Sequence, residues 1–153
     1  MSEIETEFLF ELAAELSGMR ELGQTPMGNR RIAEVSGGTF EEPRLRGKIL
    51  PAAAGDWLIF RPDGVFQLDV RLTLETDDGA YIYMTYRGVR HGPEDVIARL
   101  NAGEEVDPGE YYFRTAPFFE TGSETYAWLN SIICVATGER KAIGPVYRVF
   151  QVL

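Results

Sequence analysis

The clearest pattern of apolar and polar positions lies between residues 66 and 75, where the two kinds of side chain alternate at every step. The apolar positions are Phe66, Leu68, Val70, Leu72 and Leu74, and the polar positions are Gln67, Asp69, Arg71, Thr73 and Glu75. This period of two predicts a β-strand with one apolar and one polar face. The flanking sequences RPDG at 61–64 and DDG at 77–79 are typical of tight turns. Residues 56–88 are therefore predicted to form three consecutive antiparallel strands.

The N-terminal stretch 7–16 also alternates, with Phe8, Phe10, Leu12, Ala14 and Leu16 on one side. Its many Ala, Leu and Glu residues and a helical spacing also fit a helix. A strand is the better interpretation because so much of the chain has β character. Residues 17–30 contain three glycines and a proline, and they are predicted to form a long loop.

Further strands are predicted over 31–35, 46–50, 111–115, 126–138 and 146–152. Gly37 and Gly38 indicate a bulge or turn. The segment 93–100, PEDVIARL, begins with proline, has acidic residues next and ends near Arg99, so it predicts a short helix. About eight or nine strands with short connections favour one mainly β domain over residues 1–153, either an antiparallel barrel or a sandwich.

The net charge and the apolar runs of the chain indicate which classes of partner and which location are expected. The chain has 153 residues, 15 basic against 24 acidic, and a net charge of −9. Nucleic acids and anionic membranes are disfavoured partners, because binding phosphate groups relies on clustered Lys and Arg. The start, MSEIETEF, lacks a signal-peptide pattern and no apolar run is long enough to span a bilayer. We therefore expect a cytoplasmic protein.

Familiar catalytic sequences are missing. The single cysteine, Cys134, excludes an intrachain disulfide and, with one histidine, His91, leaves no metal-binding pattern. Cys134 lies in an apolar run and is interpreted as a buried hydrophobic residue. The chain has no glycine-rich phosphate loop and no GxSxG sequence. The expectation is a protein without metal or cofactor.

The polar face of the central strand is the sharpest candidate site. Asp69 and Arg71 stand two residues apart on one face of that strand. If the face points to water, the two form ordinary surface ion pairs of little energetic value. If it lines a barrel interior, Arg71 could bind an oxyanion while Asp69 orients it or accepts a proton.

Several other residues could line a pocket, although each has a plain structural interpretation. Glu120 follows two phenylalanines, so it is either a carboxyl of raised pKa or an exposed loop acid. The remaining candidates combine a polar tip with an apolar body or sit beside one. They are Asp56, Trp57, Tyr83, Tyr86, Tyr126 and Asn130. Core packing explains most of the aromatic residues equally well.

Four stretches together carry a family resemblance. They are GGTFEEPRLRGKILPAAAGDW, RPDGVFQLDVRLTLETDDGAYIYMTYRG, YYFRTAPFFETGSETYAWLN and VYRVFQVL. In this order they resemble the uncharacterised bacterial and fungal family known as domain of unknown function three-two-three-seven. The resemblance spans nearly the whole chain. It implies a calycin-like antiparallel barrel similar to allene oxide cyclase, dirigent proteins and spirotetronate cyclases.

The resemblance also implies a function. It suggests a barrel that binds a small, oxygenated, hydrophobic molecule and acts as a cofactor-independent cyclase or isomerase. Arg71 and Arg114 would hold an oxyanion, Asp69 or Glu120 would be the base, and Tyr83, Tyr86 and Asn130 would donate hydrogen bonds. A non-catalytic carrier barrel and a structural oligomer module are the alternatives. An inward polar face would leave the apolar stripe of residues 66–74 outside, which predicts a homodimer or homotrimer.

Overall fold

Ten antiparallel strands form one sheet in the computed structural model, which describes residues 3–153 apart from the side chain at position 42. The strands are β1 (Thr6–Thr25), β2 (Gly28–Pro43), β3 (Gly47–Ile49), β4 (Gly55–Asp56), β5 (Ile59–Phe60), β6 (Phe66–Thr76), β7 (Tyr81–His91), β8 (Tyr112–Glu120), β9 (Cys134–Arg140) and β10 (Pro145–Val152). Helix α1 spans Glu94–Asn101, and two short 3₁₀ turns span Pro108–Glu110 and Ala127–Ser131.

The sheet closes on itself. Its order is β1-β10-β9-β8-β7-β6, the short strands β3, β4 and β5 then lie between β6 and β2, and β2 pairs with β1. Closure removes most sheet edges and gives every long strand an inner and an outer face. The antiparallel barrel is confirmed, as is the single helix, which begins one residue after Pro93. None of the helices in the described part of the chain is long and apolar enough to cross a membrane.

Strand β6 presents its apolar face to the barrel interior. Leu68, Val70, Leu72 and Leu74 are at most 3% exposed, and the outward Asp69 lies 4.0 Å from Arg87 of β7. The expectation that the polar face lines the interior is therefore wrong. Burying the leucine and valine side chains stabilises the barrel, whereas burying the charged face would cost desolvation energy. The prediction of an oligomer is based on an exposed apolar stripe, and this stripe is buried inside the barrel. The oligomeric state stays a prediction.

Strand β1 confirms the alternation up to Ala14, whereas Leu16 is 40% exposed, and the strand itself continues further than predicted. A register shift against β10 between Phe8 and Phe10 places Leu9 inside and leaves Phe8 half-buried. The long loop predicted over 17–30 is wrong, because β1 continues to Thr25 and turns into β2 at Gly28. Much of this hairpin is exposed and held by backbone pairing and by ion pairs such as Arg20–Glu34 at 2.9 Å. Because few of its side chains are buried, this part of the hairpin has no regular alternation of apolar and polar residues from which its strands could be predicted.

The predicted strand over 126–138 is also partly wrong. Ala127–Ser131 forms a 3₁₀ turn that buries Leu129 against the barrel, and β9 begins only at Cys134. Cys134 itself is 1% exposed, which confirms the interpretation as a buried hydrophobic residue. Burial raises the pKa of its thiol to about 11.

The interior differs between the two ends of the barrel. The lower half, near the turn at Asp77 and Asp78, is filled by large apolar side chains. Phe10 packs edge-on against Phe40 and Phe119 at centroid distances of 5.7 and 5.8 Å. The upper half, where β7 leads into α1, carries smaller residues such as Ala14 and Ala33, and it is not filled.

Candidate functional site

The upper half of the barrel contains a cavity of about 320 Å³. Its wall is mostly apolar, with a few convergent polar groups, as is typical of small-molecule sites. The apolar lining includes Ala14, Ala33, Val35, Leu58, Phe60, Phe66, Leu68, Val70, Leu100 and Phe113. The polar lining includes Arg31, Asp56, Tyr86, Arg90, Arg140 and Tyr147.

Asp56 is the buried acid of this cavity. Strand β4 lies between β2 and β6, which places Asp56 opposite Ala33 and Val70, and the residue is 7% exposed. Its Oδ1 accepts one hydrogen bond, from the backbone N–H of Asp69 at 3.0 Å. Burial raises the pKa of Asp56 from 3.8 to about 7, that hydrogen bond opposes the rise, and the nearby Asp69 charge adds to it. Near neutral pH this carboxyl can therefore both accept and donate a proton.

Two buried tyrosines lie next to this acid. The rings of Tyr86 and Tyr147 are 5.0 Å apart, and Tyr147 also packs edge-on against Phe113 at 5.5 Å. The two hydroxyls are close enough to affect each other's pKa, yet Tyr147 Oη is buried without a properly oriented hydrogen-bond partner among the described residues. Burial raises the pKa of both phenols. Both therefore stay protonated and can donate hydrogen bonds to a ligand oxygen.

Arg90 supplies a buried positive charge near the mouth of the cavity. It is the last inward-facing residue of β7, is 9% exposed, and places its guanidinium 4.6 Å from the centre of the Phe66 ring. Burial lowers the pKa of Arg90, and repulsion from Arg140 lowers it further, although a guanidinium still carries its charge at neutral pH. The cavity thus combines a buried acid, two phenols and a buried cation.

The structure brings together only two of the sequence-predicted site residues, Asp56 and Tyr86. The other candidates lie outside the cavity, on the outer surface of the barrel or at its lower end. The predicted catalytic set of Asp69, Arg71 and Glu120 is on the outer surface of β6 and β8. Because a closed sheet separates that surface from the interior, the predicted gathering of Asp69, Arg71, Arg114 and Asn130 is not observed.

Outer-surface contacts account for most of the remaining candidates. The Arg71 guanidinium lies 5.6 Å from the Trp57 ring, and Trp57 is 39% exposed. Arg114 lies 5.1 Å from the Tyr112 ring and donates to the Phe113 carbonyl at 2.8 Å. Tyr83 is 41% exposed and pairs with Glu120 across β7 and β8.

At the lower end, Tyr126 and Asn130 have structural roles. The Tyr126 hydroxyl donates to Asp78 Oδ1 at 2.9 Å. The Asn130 amide accepts from the Thr121 N–H at 2.8 Å and donates to the Thr121 carbonyl at 2.9 Å. The side-chain amide therefore closes the loop after β8 and does not face the cavity.

Sequence reasoning missed Arg90, Arg140 and Tyr147 as cavity residues. The alternation that makes Ile82, Met84 and Tyr86 one face of β7 continues to Arg90, so this residue could have been placed beside Tyr86. Tyr147 alternates with Val149 on β10 in the same way. Arg140 lies between the strands predicted over 126–138 and 146–152, and nothing in its neighbours indicates that it borders a cavity.

Fold and cavity together define an antiparallel β-barrel with a mostly apolar interior cavity that carries a few polar groups. The chain belongs to the family of proteins of unknown function DUF3237, whose model matches residues 4–152. This confirms the family resemblance described above. A UPF0311 protein of Rhodopseudomonas palustris strain TIE-1 is 38% identical over 150 residues, covering 98% of this chain and 97% of the relative. A UPF0311 protein of Bradyrhizobium diazoefficiens is 39% identical over the same shares of the two chains.

Solved structures agree with the fold. A conserved protein of unknown function from Rhodopseudomonas palustris superposes with a TM-score of 0.95 at 37% identity over 100% of both chains. A β-barrel-like protein from Acinetobacter baumannii gives 0.86 at 37% identity, covering 100% of this chain and 98% of that one. An enzyme from Penicillium herquei gives 0.75 at 20% identity, covering 100% and 97%. At that identity, the likeness to the enzyme shows the fold alone.

Proposed function

We propose that the protein binds a small, partly apolar, oxygenated molecule in the upper cavity and acts on it as a cofactor-independent isomerase or cyclase. The observation that carries this proposal is Asp56, a buried carboxyl on the wall of a ligand-sized cavity with a pKa of about 7. A buried acid with a single hydrogen bond is costly for folding, and such costs are concentrated at functional sites. A barrel with a purely structural role would fill its interior with its own side chains.

The proposed chemistry is proton transfer. Asp56 in its ionised form removes a proton from the ligand, and the protonated acid returns it at another atom, so that no net proton or electron is lost. Tyr86 and Tyr147 donate hydrogen bonds to the oxygen on which negative charge develops. The apolar wall of Val70, Leu68 and Phe113 excludes water and keeps these interactions strong.

Binding is tested with an uncharged fluorescent probe, N-phenyl-1-naphthylamine, whose emission rises in apolar cavities. Ala33→Phe places a ring inside the cavity, whereas Ala116→Phe adds the same ring to the exposed outer face of β8. Ala33→Phe is expected to weaken probe binding at least about tenfold, because buried space is lost. The Ala116→Phe control should bind like the wild type, and equal binding by all three proteins contradicts a ligand site in the cavity.

Turnover is tested on the molecule that co-purifies with the protein from its source, identified by native mass spectrometry. Asp56→Asn keeps the acceptor for the Asp69 N–H but cannot transfer a proton. We expect it to lower kcat by roughly 10²- to 10⁴-fold, the usual contribution of general acid–base catalysis, while ligand binding is retained. If the wild type binds this molecule and never changes it chemically, the protein is a carrier barrel instead.

A further inference from the structure

The charge of Arg90 has no counterion within the described part of the protein. Arg90 takes part in none of the ion pairs there, and its Nε is buried without a hydrogen-bond partner. The rings of Phe66 and Phe113 lie 4.6 and 6.0 Å from its guanidinium carbon. Aromatic faces offset part of the desolvation of a cation, but they do not replace a carboxylate. A buried arginine of this kind is incomplete without an anion.

Of the other cations that line the cavity, two have carboxylate partners and one, Arg140, does not form an ion pair among the described residues. Lys141 is paired with Glu139 at 2.8 Å, and Arg31 lies 3.5 Å from Glu21. Arg140 also lines the cavity, forms none of the ion pairs of the described residues, and is close enough to repel Arg90. Two guanidinium groups that form no ion pair among the described residues therefore line the same cavity in a protein whose net charge is −9, although Glu105 and Glu139 lie beside Arg140 on its other side. This local field attracts an anion against the overall charge of the molecule.

We infer that the ligand of this cavity carries a carboxylate, bound by Arg90 and Arg140, on an apolar body that lies between Phe66 and Phe113. The inference rests on the proposed function and names its substrate class. A planar carboxylate matches the guanidinium fork and brings one negative charge. With the carboxylate at the mouth, the rest of the ligand extends towards Tyr86, Tyr147 and Asp56. The oxygenated end of the molecule then meets the proton-transferring acid.

The test compares two probes of nearly equal shape, 2-naphthoate and uncharged 2-naphthamide, by isothermal titration calorimetry at neutral pH. The wild type is expected to bind the carboxylate at least about tenfold more tightly than the amide, because the charge-assisted hydrogen bonds are lost with the amide. Arg90→Met removes the charge while keeping an unbranched side chain. It should reduce this preference to less than about threefold, because only Arg140 is left to bind the carboxylate, and leave the affinity for the amide within about threefold.

The outcomes separate this inference from the proposed function. If the wild type binds the two probes equally or prefers the amide, or if Arg90→Met keeps the full wild-type preference for the carboxylate, the carboxylate inference is wrong while the cavity site stands. If neither naphthalene probe nor N-phenyl-1-naphthylamine binds, the proposed function fails and the inference fails with it. Should Arg90→Met not fold, Arg140→Met tests the same preference at the less buried arginine. A preference for naphthyl phosphate over naphthoate would also overturn the carboxylate assignment.

Discussion

The aspartates of this protein show how neighbours decide the chemistry of one residue type. Asp63 lies on the exposed turn before β6, where the Arg61 side chain donates a hydrogen bond that lowers its pKa. Asp78 in the β6–β7 turn has a pKa lowered by hydrogen bonds from Thr76 and Tyr126. Asp56 has one hydrogen bond and almost no solvent, so burial raises its pKa to about 7. Only Asp56 of these three combines a place in the cavity with a titration near neutral pH.

This burial predicts a pH dependence of stability. The folded state holds the Asp56 proton more tightly than the unfolded chain, so the contribution of this carboxyl is fully present below its ordinary pKa of 3.8 and is lost as the pH rises through about 7. Asp56→Asn cannot ionise. The free energy of unfolding of the variant, relative to wild type, should rise by on the order of 2–4 kcal/mol between acidic and mildly alkaline pH.

Urea denaturation at a series of pH values measures that difference. Asp63→Asn is the control, because its pKa is lowered and its effect on stability is therefore confined to acidic pH, near and below 3.8. Above pH of about 5 the Asp63→Asn difference should stay constant. A constant difference for Asp56→Asn over the whole range would show that Asp56 is ionised in the folded state like an ordinary surface carboxyl.

At the scale of elements, the junction of β1 and β2 decides the shape of the barrel wall. The register of this pair shifts between Glu15 and Leu16, opposite Gly37 and Val35. Next to the shift, Gly38 has φ of +139°, and a methyl group there would lie 2.1 Å from the Ala13 carbonyl oxygen. The predicted bulge is thus confirmed. It brings the two strands close together, and the pair continues beyond the bulge to Ala33, on the cavity wall.

Replacing this glycine should therefore destabilise the barrel. Gly38→Ala forces either a strained backbone or a local separation of β1 from β2, and we expect a loss of roughly 2–4 kcal/mol in the free energy of unfolding. Gly122→Ala is the matched control, since nothing lies within 4 Å of the added methyl group. It should change stability by less than about 0.5 kcal/mol. Equal urea midpoints for the two variants would contradict the close approach at Gly38.

At the scale of the whole molecule, closure of the sheet decides which residues can act together. Val70 and Arg71 are neighbours in sequence, yet Val70 lines the cavity and Arg71 lies outside against Trp57. Asp56 and Tyr147, far apart in sequence, line the same cavity, because β4 and β10 both present these residues to the interior. The wall between the two faces excludes Asp69, Arg71 and Glu120 from direct contact with a ligand inside.

Because of this separation, we expect substitutions on the outer face to change neither stability nor ligand binding appreciably. Asp69→Asn and Arg71→Met should each change the free energy of unfolding by less than about 1 kcal/mol, as expected for exposed charges. Both should bind N-phenyl-1-naphthylamine like the wild type, in contrast to Ala33→Phe. If either variant folds normally but loses turnover, the polar face of β6 would instead be part of the active site, as the alternation first suggested.

The sequence by itself determined the local elements and the family. Alternation over 66–75, the RPDG and DDG turns and the helix after Pro93 depend on near neighbours, and the structure contains each of them. The exposed hairpin formed by β1 and β2 and the 3₁₀ turn at Ala127–Ser131 could not be found this way, because their backbone pairing and packing leave no regular apolar pattern. Sequence also supplied Asp56 and Tyr86 as candidates without showing that they meet.

Only the tertiary structure decided the direction of each face. A period of two says that β6 has an apolar and a polar side, and it is equally compatible with either side facing inward. The choice depends on what the other strands bring to the interior, namely Phe10, Phe40 and Phe119 below and the cavity above. The raised pKa of Asp56, and the lack of an ion pair to Arg90 among the described residues, follow from that enclosure, because desolvation is a property of all the surrounding residues together.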